Sequence, residues 1–188
     1  MSPFPYPCYL KPAISVDGAG IRRCENQEQL NEALKTFSDD LPLQIQEEMT
    51  ASTFLNLQYC VTHNRLKRLA VTEQVLDGYA HIGNRYPSIH QPWELVEPMA
   101  EWIAQRGMKE VFAFDVAVIE DEGKTDYLAI ECNPRFNGAS YPIGVATKLK
   151  IKSWSCETFL TQYRSLDQLD LSNIEFNPQS ETGFVLVN

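Results

Sequence analysis

Glu131, Asn133 and Arg135 stand two residues apart in Tyr127-Leu-Ala-Ile-Glu-Cys-Asn-Pro-Arg135, and Asp115 lies just upstream in Val111-Phe-Ala-Phe-Asp-Val-Ala-Val-Ile119. Both stretches are rich in β-branched and aromatic residues, which predicts strands. The polar connection Glu120-Asp-Glu-Gly-Lys-Thr-Asp126 is of hairpin type. Side chains alternate faces along a strand, so Glu131, Asn133 and Arg135 project from one side, and Asp115 joins them if the two strands pair. Two carboxylates, an amide oxygen and a guanidinium would then converge. Hard oxygen ligands of this kind suit Mg²⁺ or Mn²⁺ carrying phosphates, and the arginine fork suits a phosphoryl oxygen. Taken alone, an acidic residue on a strand is more often a solvated face, so the surrounding elements must decide.

Those elements run in a mixed order. Residues 8–14 read as a short strand carrying Lys11, followed by the glycine loop Ser15-Val-Asp-Gly-Ala-Gly20. Asn26-Gln-Glu-Gln29 has a capping-box pattern, and Leu30, Ala33, Leu34 and Phe37 continue at helical spacing to a stop at Asp39-Asp-Leu-Pro42. Strands are predicted over 43–49, 53–62 and 66–76, with His63-Asn64 as a turn. Residues 77–92, with Gly78, Gly83, Asn84 and Pro87, read as a loop that carries Arg85. Residues 93–106 form an amphipathic helix stopped by Gly107. Short helices are expected over 142–149 and 156–163, and a last strand over 183–187; residues 1–7 are proline-rich and irregular. This is an α+β pattern without regular βαβ alternation. There is no Walker A motif, and Asp17-Gly-Ala-Gly-Ile21 is too short for a dinucleotide fingerprint.

A chain of 188 residues can bury a sizeable core as one domain. Sixteen basic against 25 acidic residues give a formal charge of −9 with no basic stripe, which argues against nucleic acid as a partner. No apolar run reaches membrane-span length and the N-terminus has no signal pattern, so no membrane partner is expected. The five cysteines are odd in number, widely spaced and without a C-x-x-C pair, so neither a disulfide framework nor a zinc site is expected and a reducing cytoplasm fits. Cys132, between Glu131 and Asn133, should face the core.

Three elements in fixed order now carry a family resemblance: Tyr9-Leu-Lys-Pro12 with Ser15 and Asp17-Gly-Ala-Gly-Ile21, then Leu43-Gln-Ile-Gln-Glu-Glu-Met49, then Asp115 with Glu131-Cys-Asn-Pro-Arg135. Together, over about residues 8–140, they resemble the nucleotide-binding region of the ATP-grasp family. The resemblance implies one ATP-grasp domain over 1–188. Residues 8–49 would form a small α+β lid subdomain with a phosphate loop. Residues 50–188 would form a larger metal-binding and catalytic subdomain, with an antiparallel sheet and flanking helices. It implies ATP as cofactor with Mg²⁺ or Mn²⁺, the metal held by Asp115, Glu131 and Asn133. Lys11, Ser15, Gly18 and Gly20 would contact phosphates, while Gln46, Glu47, Glu48 and Met49 would form the adenine-binding hinge. Arg135, with Arg85 as a second anion contact, would steady the transferred phosphoryl group.

The implied reaction is carboxylate–amine (or thiol) ligation through an acyl phosphate, with small-molecule carboxylate and amine substrates. An ATP-binding regulatory module without turnover is the alternative, and a non-binding structural remnant a third. Two departures from the family pattern stand out. The N-terminal α/β substrate domain expected before Lys11 is absent from this sequence, so a missing or separate N-terminal domain would supply it. Thr50-Ala-Ser-Thr53 also lacks the carboxylate that holds the ribose, leaving Glu47 or Glu48 for that role. A homo-oligomer is compatible with the sequence.

Overall fold

The computed structural model describes residues 5–158 other than 16, 17 and 64, and then 160–165, 168, 170, 176–180, 182, 183 and 185. The chain begins with a small antiparallel sheet of order β2-β1-β3, built from β1 (Cys8–Pro12), β2 (Arg22–Cys24) and β3 (Leu43–Glu47). Helix α1 (Gln27–Leu34) packs on it. Cys8, Leu10, Cys24 and Leu30 are buried between them, with Tyr6, Ala33, Phe37 and Leu43 around the edge. The Asn26 side chain accepts from the Gln29 backbone N–H at 3.0 Å, which caps the helix. Gln29 reciprocates one residue early, its side chain accepting from the Glu25 N–H at 2.8 Å.

The helix stops a turn before the expected Asp39. Thr36 and Phe37 donate to the carbonyls three residues back, Ala33 and Leu34, and this tightening ends the α-helix while leaving Phe37 on the core. Strand β2 was not expected: with two exposed arginines in three residues it has no apolar alternation to read.

The rest of the chain builds a larger sheet of order β8-β7-β4-β5-β6-β9. Its strands are β4 (Thr53–Thr62), β5 (Arg65–Asp77), β6 (Ala80–Tyr86), β7 (Glu110–Asp121), β8 (Lys124–Asn133) and β9 (Trp154–Glu157), all paired antiparallel. Helix α2 (Trp93–Gln105) lies between β6 and β7 in sequence, and α3 (Ser140–Leu149) between β8 and β9. Period-two alternation gives the sheet two unlike faces. Leu55, Leu57, Tyr59 and Val61 of β4 and Phe112, Phe114, Val116 and Val118 of β7 join Val71 in one apolar layer, which Val96 and Ala100 of α2 cover. The opposite face carries Asn56, Gln58, Thr72, Asp115 and Asn133. Among the described residues no helix is long and apolar enough to cross a membrane.

Three expectations for this sheet need correction. Residues 77–92 are not one loop: a two-residue turn at Gly78-Tyr79 joins β5 to β6, and Gly83, Asn84 and Arg85 lie within a strand. Gly83 looked like a turn residue but serves a close approach, since a Cβ there would sit 2.0 Å from the Cys156 carbonyl oxygen on β9. Residues 156–163 do not open a helix: Cys156 pairs with Asn84 in β9, where Trp154 stacks on Tyr86 at 5.8 Å between ring centroids. Cys132 does face the α2 side, near Met99, Trp102 and Phe114, yet it is exposed, on the edge strand β8. The expected last strand falls mostly outside the described residues, as do residues 1–4 and Asn64 of the expected turn.

Gly83→Ala should force β9 off the sheet. The expected cost is about 1–3 kcal/mol in urea denaturation, whereas Gly123→Ala, with open space around it, should cost less despite its positive φ.

Candidate active site

Strands β7 and β8 bring the chemistry-bearing residues together by register. Asp115 lies directly opposite Glu131 and Ala113 opposite Asn133, so Glu131 and Asn133 share the face of Asp115. The register shifts immediately beyond, between Asp115 and Val116, as Val116 pairs with Ala129. On the other side of β7, Asn56 of β4 stands opposite Asp115. Both carboxylate oxygens are engaged: Asn56 Nδ2 donates to Oδ1 at 2.6 Å and Asn133 Nδ2 donates to Oδ2 at 3.0 Å. Burial dominates the carboxyl's proton affinity and pushes its pKa up to about 7; the charge of Glu131 adds to the rise, while Asn56, Asn133 and Arg135 oppose it. Asn133 is itself buried, and with its Nδ2 spent on Asp115 its Oδ1 is the acceptor left for a cation.

Two cations act on this pair electrostatically. Arg135 follows β8 in a turn closed by its N–H to the Asn133 carbonyl at 2.8 Å, and its guanidinium influences Asp115. Lys11 comes from the small sheet, where it pairs with Gln44. Burial lowers its pKa, against the pull of first Glu131 and then Asp115, so the lysine of one sheet faces the carboxylates of the other.

The glycine loop closes on the larger sheet. Gly18 and Gly20 have φ of +71° and +83°, and a Cβ on Gly18 would lie 3.0 Å from the Tyr79 Cβ. Ser15 is exposed at the loop's start, and Asp17 lies outside the described residues. In the hinge segment Gln46 and Glu47 still belong to the β3 ladder, opposite Tyr9 and Cys8, and Met49 is exposed beyond its end. Glu48 is committed elsewhere. It accepts from Tyr9 Oη at 2.6 Å and from Arg23 Nε and Nη2 at 2.7 and 2.9 Å, which holds its carboxyl down at about 2. Glu47 is exposed.

Arg85 is not brought to this group. Its neighbour Asn84 donates to Thr72 Oγ1 at 2.9 Å on the polar face, so Arg85 points to the other side of β6, exposed, between Glu73 and Ser155 in the ladders.

Several residues of the polar face were not singled out from the sequence. Gln58 is fully buried, and its Nε2 donates to Asn137 Oδ1 at 2.8 Å and Ser140 Oγ at 3.0 Å, pinning the segment after Arg135 to the centre of the sheet. Asn137 Oδ1 also accepts from the Ala139 N–H at 3.1 Å, which fixes its orientation. His81 Nε2 lies 2.7 Å from Asn84 Oδ1; because Asn84 spends its Nδ2 on Thr72, His81 is the donor. The His81 ring lies under Gly138, where a Cβ would meet it at 2.6 Å. Asn56 Oδ1, Gln58 Oε1 and Asn137 Nδ2 are buried and find no partner among the described residues. The alternation Leu55-Asn-Leu-Gln-Tyr59 was the available signal, but polar residues at that period usually mark a solvated face.

A family model described as ATP-grasp domain matches residues 1–139. The chain belongs to the ATP-grasp family. The ATP-grasp fold is shared with solved structures of low sequence identity. The biotin carboxylase–β,γ-ATP complex from Campylobacter jejuni is 17% identical with a TM-score of 0.61, covering 76% of this chain and 34% of that one. N5-carboxyaminoimidazole synthetase from Staphylococcus aureus, complexed with ADP, is 16% identical with a TM-score of 0.61, covering 74% and 37%. The biotin carboxylase domain of Hydrogenobacter thermophilus 2-oxoglutarate carboxylase, in complex with MgADP, ADP and bicarbonate, is 18% identical with a TM-score of 0.56, covering 87% and 39%. This ATP-grasp chain thus spans between a third and two fifths of the length of these structures. No curated protein sequence matches it.

The raised proton affinity of Asp115 gives this ATP-grasp site a pH signature. The unfolded chain loses this proton near the ordinary value of 3.8, the folded chain only near 7. Between those values the folded state binds more protons, so Asp115 subtracts stability progressively as pH rises from 4 to 7 and by a constant amount above. Asp115→Asn should therefore gain Tm relative to the parent as pH goes from 5 to 8, with metal chelated. A difference in Tm independent of pH would show that Asp115 ionises normally.

Proposed function

We propose that the chain is the ATP-binding and catalytic portion of a ligase that joins a small-molecule carboxylate to an amine, or to a thiol, through an acyl phosphate. The observation that carries this reading is the convergence of Asp115, Glu131 and Asn133 on one face of the large sheet, within electrostatic reach of Arg135 and of Lys11 from the small sheet. Phosphoryl transfer asks for positioning and charge neutralisation more than for a nucleophilic side chain, and this group offers both.

A divalent metal fits the residues present. Among the described residues no group of three or more His, Cys, Asp and Glu could hold a metal unaided. The donors are instead two carboxylates and the Asn133 amide oxygen, which leaves coordination positions for phosphate oxygens and water, as Mg²⁺ prefers. Asp115, raised by burial and by its neighbour Glu131, is a carboxylate that a cation would stabilise as the anion. Bound there, Mg²⁺ would neutralise charge on the phosphates.

This chain's own side chains would do the remaining work. Lys11 and the N–H groups of the loop at Gly18 and Gly20 would hold the phosphates, and the backbone of Gln46–Met49 would take the adenine edge. Arg135 would steady the phosphoryl group as the carboxylate substrate attacks it and ADP leaves. The amine would then displace phosphate from the acyl phosphate. With Glu48 bound to Arg23 and Tyr9, Glu47 is the acidic side chain of the hinge left for the ribose.

A second reading is nucleotide binding by the same residues without ligase turnover. Release of ADP that depends on added carboxylate and amine would decide for ligation.

The first test is thermal unfolding with ATP, with and without Mg²⁺. At 100 times Kd, ligand linkage adds about 2.7 kcal/mol, a shift of about 5–10 °C for a domain of this size. Mg-dependent stabilisation that disappears in Glu131→Gln is the expected outcome. Equal stabilisation with and without the metal would remove the metal role, and the absence of any ATP-linked shift would remove the nucleotide site.

A further inference from the structure

The small sheet holds a pair of cysteines that the ligase chemistry does not use. Cys8 of β1 and Cys24 of β2 are directly opposite each other in the antiparallel ladder, the last of the three registered pairs joining these strands. Both are buried in the small core, Cys8 at 0% and Cys24 at 1% exposure, with Leu10 and Leu30. Directly opposed residues of an antiparallel pair have Cα atoms about 4.5–5.5 Å apart, inside the roughly 4.4–6.8 Å range of protein disulfides. Side chains of such pairs stand on the same face, so the two thiols point into the same space. The other three cysteines face no cysteine across their ladders: Cys60 stands opposite Lys67 and Val111, Cys132 opposite Phe114, and Cys156 opposite Asn84.

We propose that Cys8 and Cys24 are a thiol-modification site, a dithiol that closes to a cross-strand disulfide under oxidation by a small-molecule disulfide. The inference is independent of the ligase reading. In the exchange, one cysteine thiolate attacks the reagent's S–S bond and releases one reagent thiol. The second cysteine thiolate then attacks the mixed disulfide and releases the other. The protein gives up two electrons and two protons, and the reagent disulfide is reduced to two thiols.

Burial sets the rate rather than the direction. Burial is the largest influence raising the Cys8 thiol pKa, followed by Cys24 itself, so the resting pair is slow to react. Strand β2, however, has only three residues and lies at the sheet edge, which makes its detachment the route of access. The bond would close residues 8–24 into a covalent loop holding Lys11, Gly18 and Gly20, and so fix both ends of the glycine loop. Oxidation state would thereby set how freely the loop opens from Tyr79.

The test uses the full chain carrying Cys132→Ser, which removes the exposed thiol, held at pH 8 with glutathione disulfide and then alkylated in denaturant. Trypsin cuts after Arg22 and Arg23 and not at Lys11 before Pro12, so it separates the two cysteines into peptides 1–22 and 24–35. The expected product is these two peptides joined, lighter by two hydrogens than their sum and split by dithiothreitol. Its Tm should rise by about 5 °C or more, as expected of a link closing a short loop. In Cys24→Ala the joined product should vanish and Cys8 should appear as a glutathione adduct or alkylated. Recovery of Cys8 and Cys24 as separate adducts or as free alkylated thiols, after the reagent has oxidised a model dithiol peptide, would overturn the proposal. So would a joined product with a lowered Tm, which would mark a bond that the native register does not accommodate.

Discussion

Two carboxylates held side by side, one of them largely withdrawn from water, repel each other, and the larger sheet is arranged around that repulsion. The register of β7 against β8 makes the pair, because directly opposed residues cannot point to different faces. The amides of Asn56 and Asn133 steady Asp115 without neutralising it, since an amide N–H can donate but carries no charge. Neutralisation has to come from outside the sheet. Arg135 offers it from the turn after β8 and Lys11 from the other sheet, and a divalent cation would offer more. The free chain is thus least at ease at the place where it is best prepared for a ligand.

The two faces of that sheet divide the labour. Aromatic and branched side chains on one face, under α2, supply the stability that allows a charge to be buried on the other. The small sheet has a modest core of its own, and electrostatics fix its edge: Arg23 links Glu25 and Glu48, and Tyr9 adds a hydrogen bond to the same Glu48. This network stands where β3 gives way to the connection into β4. The segment that would meet the adenine therefore leaves the small sheet from a fixed point.

Sequence pattern was most legible where one physical rule acted alone. Thr53–Thr62 and the common face of Asp115, Glu131 and Asn133 follow from period-two alternation, and α2 from its amphipathic stripe and the glycine that ends it. It failed where a residue type has two uses. Gly83 and Asn84 look like turn residues, yet one admits a neighbouring backbone and the other completes a buried hydrogen-bond chain. Cys132 sits on the predicted side of its strand, but its exposure goes with the place of β8 at the sheet edge, which no local pattern records. Gln58 looks like a solvated residue until Asn137 and Ser140, some eighty positions on, arrive against it.

Strand β6 and the turn before it touch two glycine-containing loops. Tyr79, in the turn before it, abuts Gly18, and His81, within it, abuts Gly138; neither glycine has room for a side chain. The hairpin of β5 and β6 thus serves as a common wall for the loop after Lys11 and the loop after Arg135. A change in size at either glycine presses on the same strand, so the two loops, more than a hundred residues apart, would accept or refuse new side chains jointly.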